Sequence, residues 1–387
     1  MPVPSPTIDE PRKLPPVNWH DVPEGCIAEL KGHNGAVKLK YGTIRSGRGT
    51  GIDVIGIDTG PMQLIVMPTR GMSIWQAVCD GVPLKWESPI DGPVHPSLVP
   101  VFDPSGLGWL EGFDELMVRC GMVSNGAPDF NEDGSLKYPL HGREGNLPAH
   151  RVYCETSGGK CAVVGEVFEK RLFFNNLKLT ARLIVEPGGR EITIEDTITN
   201  LSATDAEAQM LYHINIGTPI LHEGAKLMIP FEEMAPRNNH AARDIATWDT
   251  YPAPITGYEE QVHFFRLNSD SEGKTAMMLH STRGERGIGV SYDVHTLPYF
   301  ILWKNTAASE DGYVTGLEPA TNFPNPRTFE GEHERVTKLA AHESVTHRVT
   351  IHPLTTKERV DQFAEKVSAL QVENPKVHNM PRDDWSA

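Results

Sequence analysis

The sequence predicts an all-β protein: large antiparallel sheets packed as a sandwich, with few short helices and one C-terminal helix. Three observations carry that expectation. Turn-forming residues are abundant, with 35 glycines and 31 prolines among 387 residues, which suits many short strands joined by turns. Several segments alternate apolar and polar residues with the period of two that a half-buried strand requires. Convincing helical periodicity is confined to one stretch near the end of the chain.

Taken in order, residues 1–34 begin proline-rich and without periodicity, and read as an extended arm. Met62–Met67 (MQLIVM) is a compact apolar run closed by Pro68. After a turn at Thr69-Arg70-Gly71, the stretch 72–79 predicts a second, partly buried strand that ends at Asp80-Gly81. Leu177–Val185 predicts a strand, followed by the turn Pro187-Gly188-Gly189. The next strand, to Asn200, points Ile192, Ile194 and Ile198 one way and polar residues the other. Tyr299–Trp303 is another apolar strand, with Trp303 expected in the core. Residues 316–327, GLEPATNFPNPR, predict a loop, because proline has no N–H for a ladder. Val345, Val349 and Ile351 then alternate with Thr346, Arg348 and Thr350. The helix follows: Thr355 and Glu358 have capping-box spacing, and Val360, Phe363, Ala364, Val367 and Leu370 recur at helical intervals. The texture is uniform from 35 to 354, which argues for one domain there, with 355–387 as helix and tail.

Composition narrows the function classes. A net charge of −15 argues against general affinity for nucleic acid or an anionic membrane. The five cysteines (Cys26, Cys79, Cys120, Cys154 and Cys161) form no C-x-x-C pair, and reduced thiols are expected. The N-terminus lacks an apolar signal region, and no run approaches the 18 apolar residues of a membrane span. The expectation is a soluble, cytoplasmic protein; oligomeric state is left open.

Three stretches place polar groups where strands would otherwise be apolar. His141 lies in PLHGREGNLP, His213 in QMLYHINIG, and Glu318 in the proline-rich stretch. Each has a plain alternative: a turn histidine, a core histidine satisfied by a carbonyl, a solvated loop acid. Together they form a candidate acid–base set. Histidine titrates near neutrality, and a carboxylate on a proline-stiffened segment can be held within reach of a proton.

The stretch 191–217, EITIEDTITNLSATDAEAQMLYHINIG, resembles the central signature of the galactose mutarotase (aldose 1-epimerase) superfamily. Leu140-His141-Gly142 is similar to its "LHG" element, and GLEPATNFPN to its late glutamate element. Phe113–Met122 resembles the signature of a divergent aldose-1-epimerase-like branch. The resemblance implies a β-supersandwich with a sugar cleft on one face and no cofactor. It implies Glu318 as base, His213 as acid and His141 as auxiliary, the first two on opposite sides of a sugar ring. Three departures stand beside the implied catalytic groups. Tyr212 replaces an asparagine before the strand histidine, Asn215-Ile216-Gly217 stands where the family has an aromatic–Asn–Leu after it, and Ala320-Thr321 replace a glutamine after the glutamate.

Arg119, Arg70, Arg143 and Lys304 are candidate substrate-binding groups, and Asp249 is another because Trp248 and Tyr251 flank it. Those cations would suit an acidic, sulfated or phosphorylated sugar. The expected function is a cofactor-independent sugar 1-epimerase. A lyase or isomerase acting on an oxidised sugar and a non-catalytic carbohydrate binder are alternatives. A metal held by His141, His213 and Glu318 is a further possibility, although no local spacing supports it.

Overall fold

A computed structural model of the chain describes residues 14–20 and 27–387. Alternating strands dominate. The described residues form a 15-stranded sheet, an 8-stranded sheet and a 2-stranded hairpin. The larger sheet runs in spatial order from Val17–His20 through Gly35–Ile44, Asp53–Asp58, Met62–Met67, Ser73–Cys79 and Met117–Met122. It continues through Ala206–Ile216, Val314–Ala320, Tyr299–Asn305, Gln261–Leu267 and Phe231–Pro236 to Lys376–Val377. The smaller sheet is built around Lys160–Arg171, Asn175–Val185, Ile192–Asn200 and Ser344–Leu354.

The two sheets stack through one continuous apolar core. Ile74, Met117, Met210 and Ile214 from the larger sheet meet Val163, Leu179, Ile194, Ile198 and Val349 from the smaller. Period-two alternation turns one face of each strand into this core, as sandwich packing requires. A second aromatic-rich cluster covers the other face of the larger sheet, with Trp109, Phe113, Phe264, Phe323 and Trp385. The site is built on that second face.

Four expectations change. The first is the arm: Val17–His20 pairs with the Gly35–Ile44 strand in register Val17↔Ile44, and Glu29–Gly32 pairs with the same strand. Short edge strands are held by backbone bonds and need little side-chain periodicity, so composition did not reveal them. Residues 1–13, 21–26 and with them Cys26 lie outside the described residues.

The second is GLEPATNFPNPR, whose first five residues belong to the central strand Val314–Ala320. Proline is tolerated there because the ladder to Ala206–Ile216 joins Leu211↔Ala320 and Ile214↔Leu317 but skips Pro319 and Glu318.

Third, the helix Lys357–Ser368 is capped by Thr356, which accepts from the Arg359 N–H, while Thr355 donates to Asp80 instead. The fourth concerns the C-terminal tail, which folds back across the larger sheet. Lys376–Val377 pairs parallel with Phe231–Pro236, and Trp385 packs on Phe323 at 4.8 Å between ring centres.

Candidate active site

Strand parity places His213. In Ala206–Ile216, Met210, Tyr212, Ile214 and Ile216 enter the inter-sheet core. Alternation therefore turns Leu211, His213 and Asn215 to the opposite face. On the neighbouring strand Leu317 enters the core and Glu318 faces the same side as His213. The two side chains meet: Glu318 Oε1 is 3.2 Å from His213 Nε2, with both side chains almost fully buried. Gly316 leaves the room they occupy. A Cβ at that position would lie 2.3 Å from Glu318 Oε1 and 3.1 Å from His213 Cε1.

His141 arrives from a separate loop. Its backbone is left-handed (φ 56°), as is that of Gly142 (φ 70°). A Cβ at 142 would come within 2.0 Å of the Ser124 carbonyl oxygen, so this turn requires glycine. The imidazole Nδ1 lies 2.9 Å from the Asn125 carbonyl, and its ring centre is 5.4 Å from that of His213. Asn125 in turn exchanges two amide hydrogen bonds of 2.9 Å with Asn322, just after the Glu318 strand. Thr321 accepts a hydrogen bond from the Met210 N–H. Thr321 thus ties the Glu318 strand to the His213 strand, and Asn322 ties it to the support of His141.

The tautomer of His213 is set by its neighbour. Asn215 donates its amide N–H groups to the carbonyls of Glu115 and His213, which leaves its Oδ1 to accept from His213 Nδ1 at 2.6 Å. Nε2 is therefore the imidazole's lone-pair nitrogen, and it points at Glu318. By the same logic His141 donates through Nδ1 to a carbonyl and keeps a lone pair on Nε2.

Electrostatics follow from burial. Desolvation holds His213 well below the usual histidine range, with neighbouring His141 adding to the depression. Burial pushes His141 down to about 4. Glu318 is raised well above the ordinary carboxylate range, by desolvation first and Glu260 second. The approach of Glu318 to His213 does not align as a hydrogen bond, and Glu318 Oε1 has no hydrogen-bond partner among the described residues. Burial thus favours the neutral form of each group, a protonated carboxyl on Glu318 and an uncharged imidazole on His213.

These three residues line one cavity of about 280 Å³, near the lower end for small-molecule sites. Trp109, Phe113 and Trp303 stand around His213 at centroid distances of 6.2, 5.0 and 5.3 Å. Arg237 and Glu260 are paired at 3.1 Å, and Glu260 also accepts from the Trp303 indole N–H at 2.6 Å. Trp303 is thus a cavity residue rather than simple core. Arg237, Glu260, Trp109 and Phe113 had no sequence signal as site residues, because their convergence depends on elements far apart in the chain.

The other predicted binding residues lie elsewhere. Arg119 is fully buried in an ion pair with Asp196 and donates to the Gly71 and Met72 carbonyls. Arg70 is spent on Glu115, Asn146 and the carbonyls of Val94 and Gly112. Lys304 donates to the carbonyls of Thr247, Trp248 and Thr250, and burial lowers it to about 8. That loop also holds Asp249, whose carbonyl accepts from Leu227 N–H outside the cavity. Arg143 stacks over Phe102 in a neighbouring groove. Interior strand ends and inter-sheet gaps need buried cations to satisfy carbonyls and carboxylates, and these four basic residues were mostly recruited for that or for packing. Among the described residues no group of three or more His, Cys, Asp or Glu side chains could hold a metal ion, and no helix is long and apolar enough to cross a membrane.

Comparison with known proteins agrees with this architecture. No curated protein matches the chain. A solved structure from Klebsiella pneumoniae subsp. pneumoniae, provisionally described as an aldose 1-epimerase, is 32% identical, covering 88% of this chain and 89% of its own at TM-score 0.84. A galactose mutarotase-like protein from Clostridium acetobutylicum shares the fold at TM-score 0.58 and 13% identity, covering 82% of this chain and 98% of its own. A protein from Escherichia coli, also provisionally described as an aldose 1-epimerase, shares it at TM-score 0.52 and 13% identity, covering 78% and 99%. Residues 49–352 match the family described as "Domain of unknown function (DUF4432)". The chain belongs to that family, a divergent branch of the galactose mutarotase-like superfamily.

Proposed function

We propose that the chain is a cofactor-independent sugar isomerase of the aldose 1-epimerase type, interconverting the anomers of a free aldose. The observation that carries this reading is the convergence of Glu318, His213 and His141 in one cavity of monosaccharide size. Ring opening removes the O1–H proton, breaks C1–O5, forms the C1=O1 double bond and delivers a proton to O5. O1 and the ring oxygen are bonded to the same carbon, so an acid and a base side by side can reach both. Opposite faces of the ring are not needed.

The starting protonation state assigns the steps. His213 Nε2 takes the O1 proton while protonated Glu318 gives its proton to O5. The open aldehyde rotates about C1–C2, and closure on the other face restores both groups. The two residues therefore exchange acid and base roles within each turnover, as reversibility demands. This assignment is the reverse of the one the superfamily resemblance implies. His141 Nε2 accepts from a sugar hydroxyl and orients the ring, and the aromatic rings give the apolar face of a sugar a surface to rest on.

The test is saturation-transfer NMR between anomer signals over a panel of aldoses, with spontaneous exchange subtracted. Enzyme-dependent exchange that disappears in Glu318→Gln is expected. Exchange on no aldose, or equal exchange by wild type and variant, would overturn the reading.

A further inference from the structure

The cavity offers a sugar few polar partners, and we propose that its substrate is a neutral 6-deoxy aldose rather than a fully hydroxylated or anionic hexose. The inference rests on the aldose 1-epimerase reading and narrows its substrate class. His141, His213 and Glu318 are committed to the anomeric end. Beyond them the charged side chains of the lining are Arg237 and Glu260, already paired at 3.1 Å with Glu260 also held by the Trp303 indole at 2.6 Å, and the one further polar group is the Trp109 indole N–H, buried without a partner among the described residues. The rest of the wall is largely apolar, including Leu107, Leu110, Leu140, Val262 and Ile301.

A hexose brings a hydroxymethyl group and several ring hydroxyls into this space. Each hydroxyl enclosed without a partner costs on the order of 1–3 kcal/mol. The Arg237–Glu260 pair can bridge one neighbouring pair of hydroxyls, through a donor and an acceptor set side by side. A C6 hydroxyl set against the leucine and isoleucine side chains would have no side-chain partner there. A methyl at that position removes the penalty and buries apolar surface instead. An anionic substituent fares worse, because Arg237 is the one cation among the described lining residues and Glu260 balances it. Arg119, Arg70 and Lys304 are spent inside the fold.

The discrimination is bounded by the chemistry. An apolar pocket rejects an added hydroxyl by roughly 10–100-fold, so a preference of that size is expected. Matched pairs differing only at C6 test it: D-fucose against D-galactose, 6-deoxy-D-glucose against D-glucose, and L-rhamnose against L-mannose, with glucuronate and glucose 6-phosphate as anionic members. Affinity is measured by ligand-observed NMR on Glu318→Gln, and kcat/KM by anomer exchange on wild type. Tighter binding and faster exchange of the deoxy member by about tenfold or more support the proposal. Equal or better binding of the hydroxylated parent or of an anionic sugar overturns it, while exchange on any of them leaves the epimerase reading standing. If no member binds or exchanges, the epimerase reading fails and the substrate assignment fails with it.

Discussion

Glu318 and His213 stand on neighbouring antiparallel strands with Oε1 and Nε2 3.2 Å apart, in space that Gly316 leaves open. Burial drives both toward their neutral forms. The result is a proton donor beside a proton acceptor.

Replacing the donor separates chemistry from folding. Glu318→Gln keeps the shape and hydrogen-bonding bulk of a neutral carboxyl, so the melting temperature is expected to stay the same or rise. Anomer exchange is expected to fall by roughly 10²–10⁴-fold, the contribution of a positioned acid–base group. Calorimetry and saturation transfer on the same sample check both halves; a large loss of stability would contradict a neutral Glu318.

In the proposed mechanism the pair works while it holds one proton, and the pH–rate profile reports when it does not. A second proton must go to His213, whose titration lies well below the ordinary 6.5. The acid limb of kcat/KM, which reports the free enzyme, is therefore expected below pH 6.5. On the alkaline side activity falls as Glu318 ionises, above the ordinary 4.5. A limb centred at or above pH 6.5 with histidine character would refute the buried, neutral imidazole.

In the proposed mechanism Asn215 acts through His213 rather than on the sugar. Its Oδ1, 2.6 Å from Nδ1, holds the tautomer that leaves Nε2 free. Asn215→Leu removes that acceptor, and kcat is expected to fall on the order of 10²-fold with KM nearly unchanged. The acid limb is expected to shift further down, because the hydrogen bond that favours the protonated ring is gone. A purely structural role would leave the profile in place.

Arg119 distinguishes scaffold from site. Its ion pair with Asp196 is wholly buried, and removing one partner strands the other charge. Arg119→Met is expected to destabilise the protein by about 3–5 kcal/mol in denaturant unfolding. Normal stability with a raised KM would instead make Arg119 a sugar-binding residue.

The tail can be weighed in the same way. Trp385 is buried against Phe323, and its carbonyl accepts from Asn325, one residue beyond the cavity-lining Pro324. Trp385→Ala is expected to cost about 3–5 kcal/mol, the usual penalty for emptying a large aromatic site. A loss below 1 kcal/mol in thermal or denaturant unfolding would show the tail to be dispensable.

Local patterning by itself determined much of this protein. The alternation in 192–200 and 345–351, the run 62–67 and the helical spacing of Val360, Phe363 and Val367 each specify an element, because burying one face demands that period. Local sequence also marked His141, His213 and Glu318, in PLHGREGNLP, QMLYHINIG and GLEPATNFPNPR, as polar groups interrupting apolar texture. The tertiary structure decided the rest. Pro319 could join a central strand only because the facing ladder skips it. Arg237, Glu260 and Trp303 became cavity walls, and Arg119, Arg70 and Lys304 became buried supports, according to which strands the topology set side by side. Charge and hydrogen-bonding capacity are written in a residue's type; whether they meet a substrate or an interior carbonyl depends on neighbours tens to hundreds of residues away. The protonation of the Glu318–His213 pair is of that kind, since desolvation exists only once the sheets have closed around it.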